Sequence, residues 1–241
     1  MTRRPNSFGD LVLMEASLRR LDAFSSWSTE AMADLLAASY VSRHAPGKVF
    51  VNELNEVPEA FVIISGQATG AYAAGQYEQL AVIPLGPGVL MGLTQTFGNR
   101  ERASYAFTAQ TPVVAIHIPT LFLIALLDAE PSRCKKMTMM LLSQHAAQAQ
   151  TVRSQATGSL RQRLASTVVR LTLLFSKATE ITGSTRLQLS QKELAAILQA
   201  NRQAVNRELK KLAVSGALSL GYKGLSVLDP QALKDIANEA P

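Results

Sequence analysis

A single cysteine and three histidines are all that 241 residues offer for metal or redox chemistry. One thiol, Cys134, cannot close an internal disulfide, and it cannot by itself hold a thiolate zinc site or an iron–sulfur cluster. It reads as a reduced, partly buried thiol. His44, His117 and His145 lie far apart, with no HExxH pattern or i, i+4 pairing, so no metal site and no cofactor is expected. His117 falls within an apolar alternation and reads as a strand residue. Charged residues are few, at 17%, and no long low-complexity tract occurs, which excludes a mainly disordered chain. Long apolar runs are missing too. The most apolar stretch, 112–127, is broken by His117, Pro119 and Thr120 and falls short of the ~20 clean residues of a membrane helix. The opening Met1-Thr-Arg-Arg-Pro-Asn leads into no apolar signal region. A soluble, cytoplasmic protein without membrane contact is expected.

What is present is a substantial core and an uneven charge. At 47% hydrophobic content there is material for one large domain or two small ones. Residues 1–131 carry eight Lys/Arg against twelve Asp/Glu, a net of −4; residues 132–241 carry sixteen against six, a net of +10. A basic second half beside a mildly acidic first half suggests that one part meets a polyanion. A basic solvated surface is the plain alternative.

Periodicity divides the chain. Leu11, Met14, Leu18 and Leu21 recur at helical spacing, and Ser28 can cap a second helix through Met32, Leu35 and Leu36. From Val41 short β-rich runs (49–51, 60–64, 81–83 and 113–118) alternate with Pro/Gly punctuation, which suggests a barrel or sandwich of roughly 80 residues. A long helix is predicted over about 132–157, after Pro131. It carries a heptad-like seam, with Leu142, Ala149 and Ala156 seven apart and His145 and Val152 between them. The seam suits a dimer helix; being short and rich in small residues, it could also be buried against its own chain. Three helical pieces then occupy 160–214, and a Gly-punctuated hairpin 216–228.

The strongest local signal runs from Ser190 to Leu212. Ser190 and Glu193 form a capping box, and Leu194, Ile197 and Leu198 supply that helix's apolar side. Gln199-Ala200-Asn201 then lead into a second helix that Asn201 can cap. Two helices joined by so short a turn read as helix-turn-helix. On the second helix Arg202, Gln203, Asn206, Arg207 and Lys210 fall within one arc of roughly 140°. All can donate hydrogen bonds and none is acidic, which suits base edges and phosphates. Val205, Leu209 and Leu212 occupy a separate arc for packing, and Glu208 lies off the polar one. The hairpin that follows reads as a wing, with Lys223 at its tip as a phosphate contact or a plain turn residue.

These segments resemble the cyclic-AMP receptor protein/fumarate-nitrate regulator (Crp/Fnr) family of bacterial transcription factors. The resemblance rests on Ser190-Gln-Lys-Glu-Leu, Asn201-Arg-Gln-Ala-Val-Asn-Arg-Glu-Leu-Lys and Ala217–Asp229. Leu21-Asp-Ala-Phe-Ser, Pro46-Gly-Lys-Val-Phe, Phe61-Val-Ile-Ile-Ser-Gly66 and Gly86-Pro-Gly88 before Met91-Gly92 extend it over nearly the whole chain. It implies an α+β protein with a cyclic-nucleotide-binding-like β-roll (a jelly-roll barrel), a long dimerisation helix and a winged helix-turn-helix. The expected divisions are 1–130, 131–158 and 159–241. It also implies a homodimer on twofold-related double-stranded DNA, with RNA polymerase as partner and a small-molecule effector. Ser190, Gln191, Asn201, Arg202, Gln203, Asn206, Arg207, Lys210 and Lys223 are the implied DNA contacts.

The departures bear on the effector. The resemblance places its pocket at Gly92, Leu93, Arg100, Arg102, Ser104, Gln148 and Ala149. Where cyclic-nucleotide-binding members have a glutamate that accepts from the ribose hydroxyl, this chain has Leu93. The arginine that immediately precedes a serine in the family is displaced to Arg102, with Ala103 before Ser104. A response to cAMP is therefore not expected. Gln199 stands where the family's turn often has glycine. A ligand-sensing module acting through protein partners is the alternative function, and it leaves the basic helix unexplained. A cupin-type enzyme would need a histidine and carboxylate cluster, and no nucleophile arrangement or P-loop lysine is visible. No catalysis is expected.

Overall fold

The computed structural model describes residues 6–51, 58–73, 81–93, 104–156, 158–176, 186–222 and 224–239. Two helices open it: α1 (Phe8–Arg19) and α2 (Thr29–Ala38). Each begins where a serine can satisfy an orphan amide. Ser7 and Asp10 make a reciprocal capping box on α1, and the Ser28 side chain accepts from Ala31 N on α2. Asp10 also takes Arg43 Nη2 at 2.6 Å, fastening α1 to the first strand. The Arg43 guanidinium and the Ser7 donors hold the Asp10 carboxyl down at about 2.

The strands β1 (Tyr40–His44), β2 (Val49–Val51), β3 (Glu59–Ser65), β4 (Ala68–Ala73), β5 (Ala81–Leu85), β6 (Leu90–Met91), β7 (Ser104–Ala109) and β8 (Val113–Pro119) form two antiparallel four-stranded sheets. Their orders are β1-β8-β3-β6 and β2-β7-β4-β5. Successive strand residues face opposite sides, and in β3 and β8 both sides are apolar. Phe61, Ile63, Val113 and Ala115 point into the roll, where they meet Ala68, Leu85, Phe107 and Ala109 of the second sheet. Ala60, Val62, Ile116 and Ile118 point outward to α1, α2 and the next helices. Three phenylalanines fill the interior: Phe61 lies 5.0 Å from Phe107 and 5.7 Å from Phe50, centroid to centroid. Phe107 requires glycine opposite, since a Cβ at Gly70 would lie 2.7 Å from its ring.

The helices α3 (Thr120–Asp128) and α4 (Pro131–Ala156) follow. As the sequence suggests, the helical stretch from Thr120 is broken at Pro131. Pro131 starts the second helix, as suits a residue without an amide hydrogen at the first helical position. Met137 is buried against the outer face of the roll, while Met139 and Leu142 are exposed. Cys134 is exposed rather than partly buried.

The last part comprises α5 (Leu160–Ser176), β9 (Arg186–Leu187), α6 (Gln191–Ile197), α7 (Arg202–Val214), β10 (Leu218–Gly221), β11 (Gly224–Val227) and α8 (Pro230–Asn238). Its own core joins Leu164, Val168 and Leu171 of α5 to Leu194, Leu209, Leu225 and Leu233. It meets the roll at several places, α6 beside β5 among them. In the turn between β3 and β4, Gln67 Nε2 donates to Arg186 O and Gln67 Oε1 accepts from Gln188 N, both at 2.9 Å. A Cβ at Gly86, just past β5, would lie 2.8 Å from Phe175 Cδ1 and 2.9 Å from Leu174 O. Gly86→Val should therefore undock this part from the roll. Hydrogen exchange at the Gln188 amide should accelerate, as it should in Gln67→Ala, with the amides of β3 unchanged; equal protection in all three proteins would disprove this.

Candidate DNA-reading surface

Ser190 caps α6 as the sequence implies: its hydroxyl accepts from Glu193 N at 3.2 Å, and its amide donates to Glu193 Oε2 at 2.8 Å. Leu194, Ala195 and Ile197 are buried. The turn then passes through Gln199 at φ 48°, the one non-glycine among the described residues with positive φ. That conformation is costly for an L residue. Arg163 of α5 supports the turn by donating from Nη2 to Leu198 O, which sequence reasoning missed because the two lie 35 positions apart. The Asn201 side chain caps α7 by accepting from Gln203 N at 2.8 Å.

Along α7, Val205, Leu209 and Leu212 are buried, so the opposite face must look outward. Arg202, Gln203, Arg207 and Lys210 are exposed, and Asn206 is half-buried. Glu208 is buried and takes Lys211 Nζ at 2.9 Å, with Arg207 Nε 3.8 Å from the same oxygen. Gln191 Nε2 donates to Asn206 Oδ1 at 3.4 Å, joining the first turn of α6 to the middle of α7. A hollow of about 510 Å³ lies between Gln191, Asn201, Arg202, Gln203 and Asn206. The hairpin of β10 and β11 stands beside it. Arg186, another residue that the sequence did not single out, donates from β9 to Tyr222 O at 3.1 Å and holds the wing turn. Lys223 lies outside the described residues.

Residues 162–236 match the Crp-like helix-turn-helix domain. The chain thus carries a Crp-like helix-turn-helix domain. No curated protein matches it in sequence. A Crp/Fnr transcriptional regulator from Thermus thermophilus is 24% identical with a TM-score of 0.62, over 83% of this chain and 98% of its own. FixK2 from Bradyrhizobium japonicum is 13% identical with a TM-score of 0.67, over 84% and 99%. The c-di-GMP-responsive global regulator CLP of Xanthomonas campestris is 20% identical with a TM-score of 0.63, over 83% and 99%. At such identities the likeness is one of fold, and it takes in both the roll and the winged part.

Of the expected effector residues, Gly92, Leu93, Gln148 and Ala149 are described. Gly92 lies at φ 94° against β3, where a Cβ would come within 2.3 Å of Glu59 O. Leu93 turns to the apolar core between the roll and its helices. Gln148 and Ala149 are exposed on α4. Arg100 and Arg102 lie outside the described residues, as does the Ser104 side chain at the start of β7. Of the seam on α4, Leu142, His145 and Ala149 are exposed and so are not buried against their own chain; the Val152 and Ala156 side chains are outside the described part. His117 is a buried strand residue, as expected, and its Nε2 meets Ser42 Oγ at 2.8 Å. Its Nδ1 lies 3.4 Å from Glu59 Oε2, which also accepts from Tyr40 OH at 2.8 Å. Burial pushes the nearby His44 imidazole below its ordinary value, and His117 adds to this by repelling its charged form.

The turn generates a stability prediction. Gln199→Gly should remove the left-handed penalty and raise stability by about 1 kcal/mol, read as a higher urea midpoint with an unchanged slope. A lower midpoint would mean that the Gln199 side chain contributes more than its backbone costs.

Proposed function

We propose that this protein is a DNA-binding transcription regulator of the Crp/Fnr type that acts as a homodimer on twofold-related double-stranded DNA, under no control by cAMP. The observation that carries the reading is the outward face of α7: five donors in one patch, with the only carboxylate of the helix buried beneath them. Such a face suits the floor and rim of a major groove. Arginine can bond guanine bidentately, asparagine and glutamine adenine, and lysine a phosphate. Ser190 and Gln191 at the start of α6, and Lys223 on the wing, are placed in sequence to meet the flanking backbone. A module acting only through protein partners would have no use for this patch.

Dimerisation is supported by Met139, at 61% exposure, and Leu142, at 56%, on the long helix, apolar side chains that a partner helix would cover. Two copies would set their α7 helices in successive major grooves, roughly 34 Å apart. RNA polymerase is the protein partner that a transcription regulator of this kind would engage. Sedimentation should find a dimer at micromolar concentration, and Leu142→Asp should yield monomers that bind operator DNA more weakly. On DNA selected by the wild type, Arg202→Ala should lose ~1–3 kcal/mol and relax one base pair, whereas Lys210→Ala should weaken all sequences alike. An unchanged sequence preference in Arg202→Ala would overturn the base-reading assignment.

The effector reading rests on Leu93. A ribose hydroxyl placed there would meet an apolar core and go unpaired, at ~1–3 kcal/mol, or about a factor of ten in affinity for each 1.4 kcal/mol. The three phenylalanines of the roll suit a less polar ligand, or none. Calorimetry should detect no micromolar binding of cAMP, and operator affinity should be the same with and without it; tighter operator binding in its presence would refute the proposal.

A further inference from the structure

Asn206 stands at the centre of the outward face. It borders the hollow shared with Gln191 and Arg202, and also a second one shared with Arg207 and Lys210. It is half-buried where its neighbours Gln203 and Arg207 are exposed, so its side chain is confined. An asparagine amide has two unlike ends, since Oδ1 accepts and Nδ2 donates. The end turned to the groove decides which base it reads. Left free, both ends match adenine, whose N7 accepts and whose N6 donates. Here Oδ1 is already engaged by Gln191 Nε2 at 3.4 Å. The donor comes from a fixed place, because Gln191 is the first residue of α6 and lies within the Ser190–Glu193 capping box. With Oδ1 turned toward α6, Nδ2 is the end that faces outward.

We infer that Gln191 is a positioning residue that sets Asn206 as a donor only. The base beneath Asn206 should then present acceptors alone, such as guanine O6 and N7 or thymine O4. Cytosine N4 is rejected, and adenine loses the advantage that a free asparagine would give it. The inference rests on the DNA-reading role of α7 proposed above, and it concerns the specificity of that same surface.

The test is selection from randomised duplex DNA by the full chain as wild type, Asn206→Ala, Gln191→Glu and Gln191→Ala. Asn206→Ala identifies the position, which is the one that loses its preference. There the wild type should enrich guanine or thymine. In Gln191→Glu the carboxylate accepts from Nδ2 and turns Oδ1 outward, so the same position should shift about tenfold toward adenine or cytosine. In Gln191→Ala the amide can turn, and adenine should gain. The added charge of Gln191→Glu lowers affinity for every site, so the readout is the ratio among bases within each variant. Positions read by Arg202 and Arg207 should keep their preferences, which a general loss of fold would not allow. If Gln191→Glu does not fold, Gln191→Ala still decides the matter. Adenine at that position in the wild type, or the wild-type preference kept in both Gln191 variants, would overturn the inference and leave α7 as the reader. A wild type that enriches no motif would instead overturn the reading of α7, and the inference with it.

Discussion

The central constraint is the two-sided burial of β3 and β8. This antiparallel pair lies in the middle of its sheet, and its alternating side chains belong to two separate apolar cores. A slip of one residue would exchange the two sets. It would drive Phe61 out toward the helices and Val62 into the roll, where the phenylalanine rings leave little latitude. The register therefore fixes both the filling of the roll and the seating of α1 to α4 on its outer face. Gly92 fits the same constraint, lying too close to the backbone of β3 for any side chain.

From that frame the placement of the DNA-reading surface follows through several contacts. The turn between β3 and β4 carries Gln67, whose amide substitutes for a strand partner by donating to and accepting from the backbone beside β9. A side chain with both a donor and an acceptor at one end can do this; a hydroxyl or a carboxylate cannot reproduce both bonds at that spacing. Strand β9 in turn pairs with β11 and supplies Arg186 to the wing turn. The roll thus reaches the wing by a short chain of hydrogen bonds, and the recognition helix by the packing of α5 beneath it.

The reading surface owes its chemistry to what is buried as much as to what is exposed. Glu208 is buried between Lys211 and Arg207, so it does not stand exposed in the patch proposed to face the groove, where a free carboxylate would repel phosphates. The Leu198 carbonyl and the left-handed Gln199 leave the helix-turn-helix turn short of ordinary support, and Arg163 supplies it from another helix.

Much of this was legible in the sequence. Helical spacing disclosed α1, α2, α4 and α7, Ser28, Ser190 and Asn201 marked the starts of α2, α6 and α7, and the sorting of α7 into a donor arc and an apolar arc needed only the 3.6-residue period. Strands β3 and β8 were legible because they are continuous apolar runs. Strands β4 and β7 were not, since Ala68-Thr-Gly-Ala-Tyr-Ala73 and Ser104-Tyr-Ala-Phe-Thr-Ala109 are built from small and mixed residues. Their strand character comes from the neighbours they pair with, and tertiary context outweighs intrinsic propensity in sheets. Asp229 before Pro230 did carry a helix-start signal for α8, which went unread. The contacts of Gln67 with β9, Arg163 with Leu198, and Gln191 with Asn206 lie outside any local pattern. Each joins residues that are distant in the chain, and only the packed fold brings a donor within reach of its acceptor.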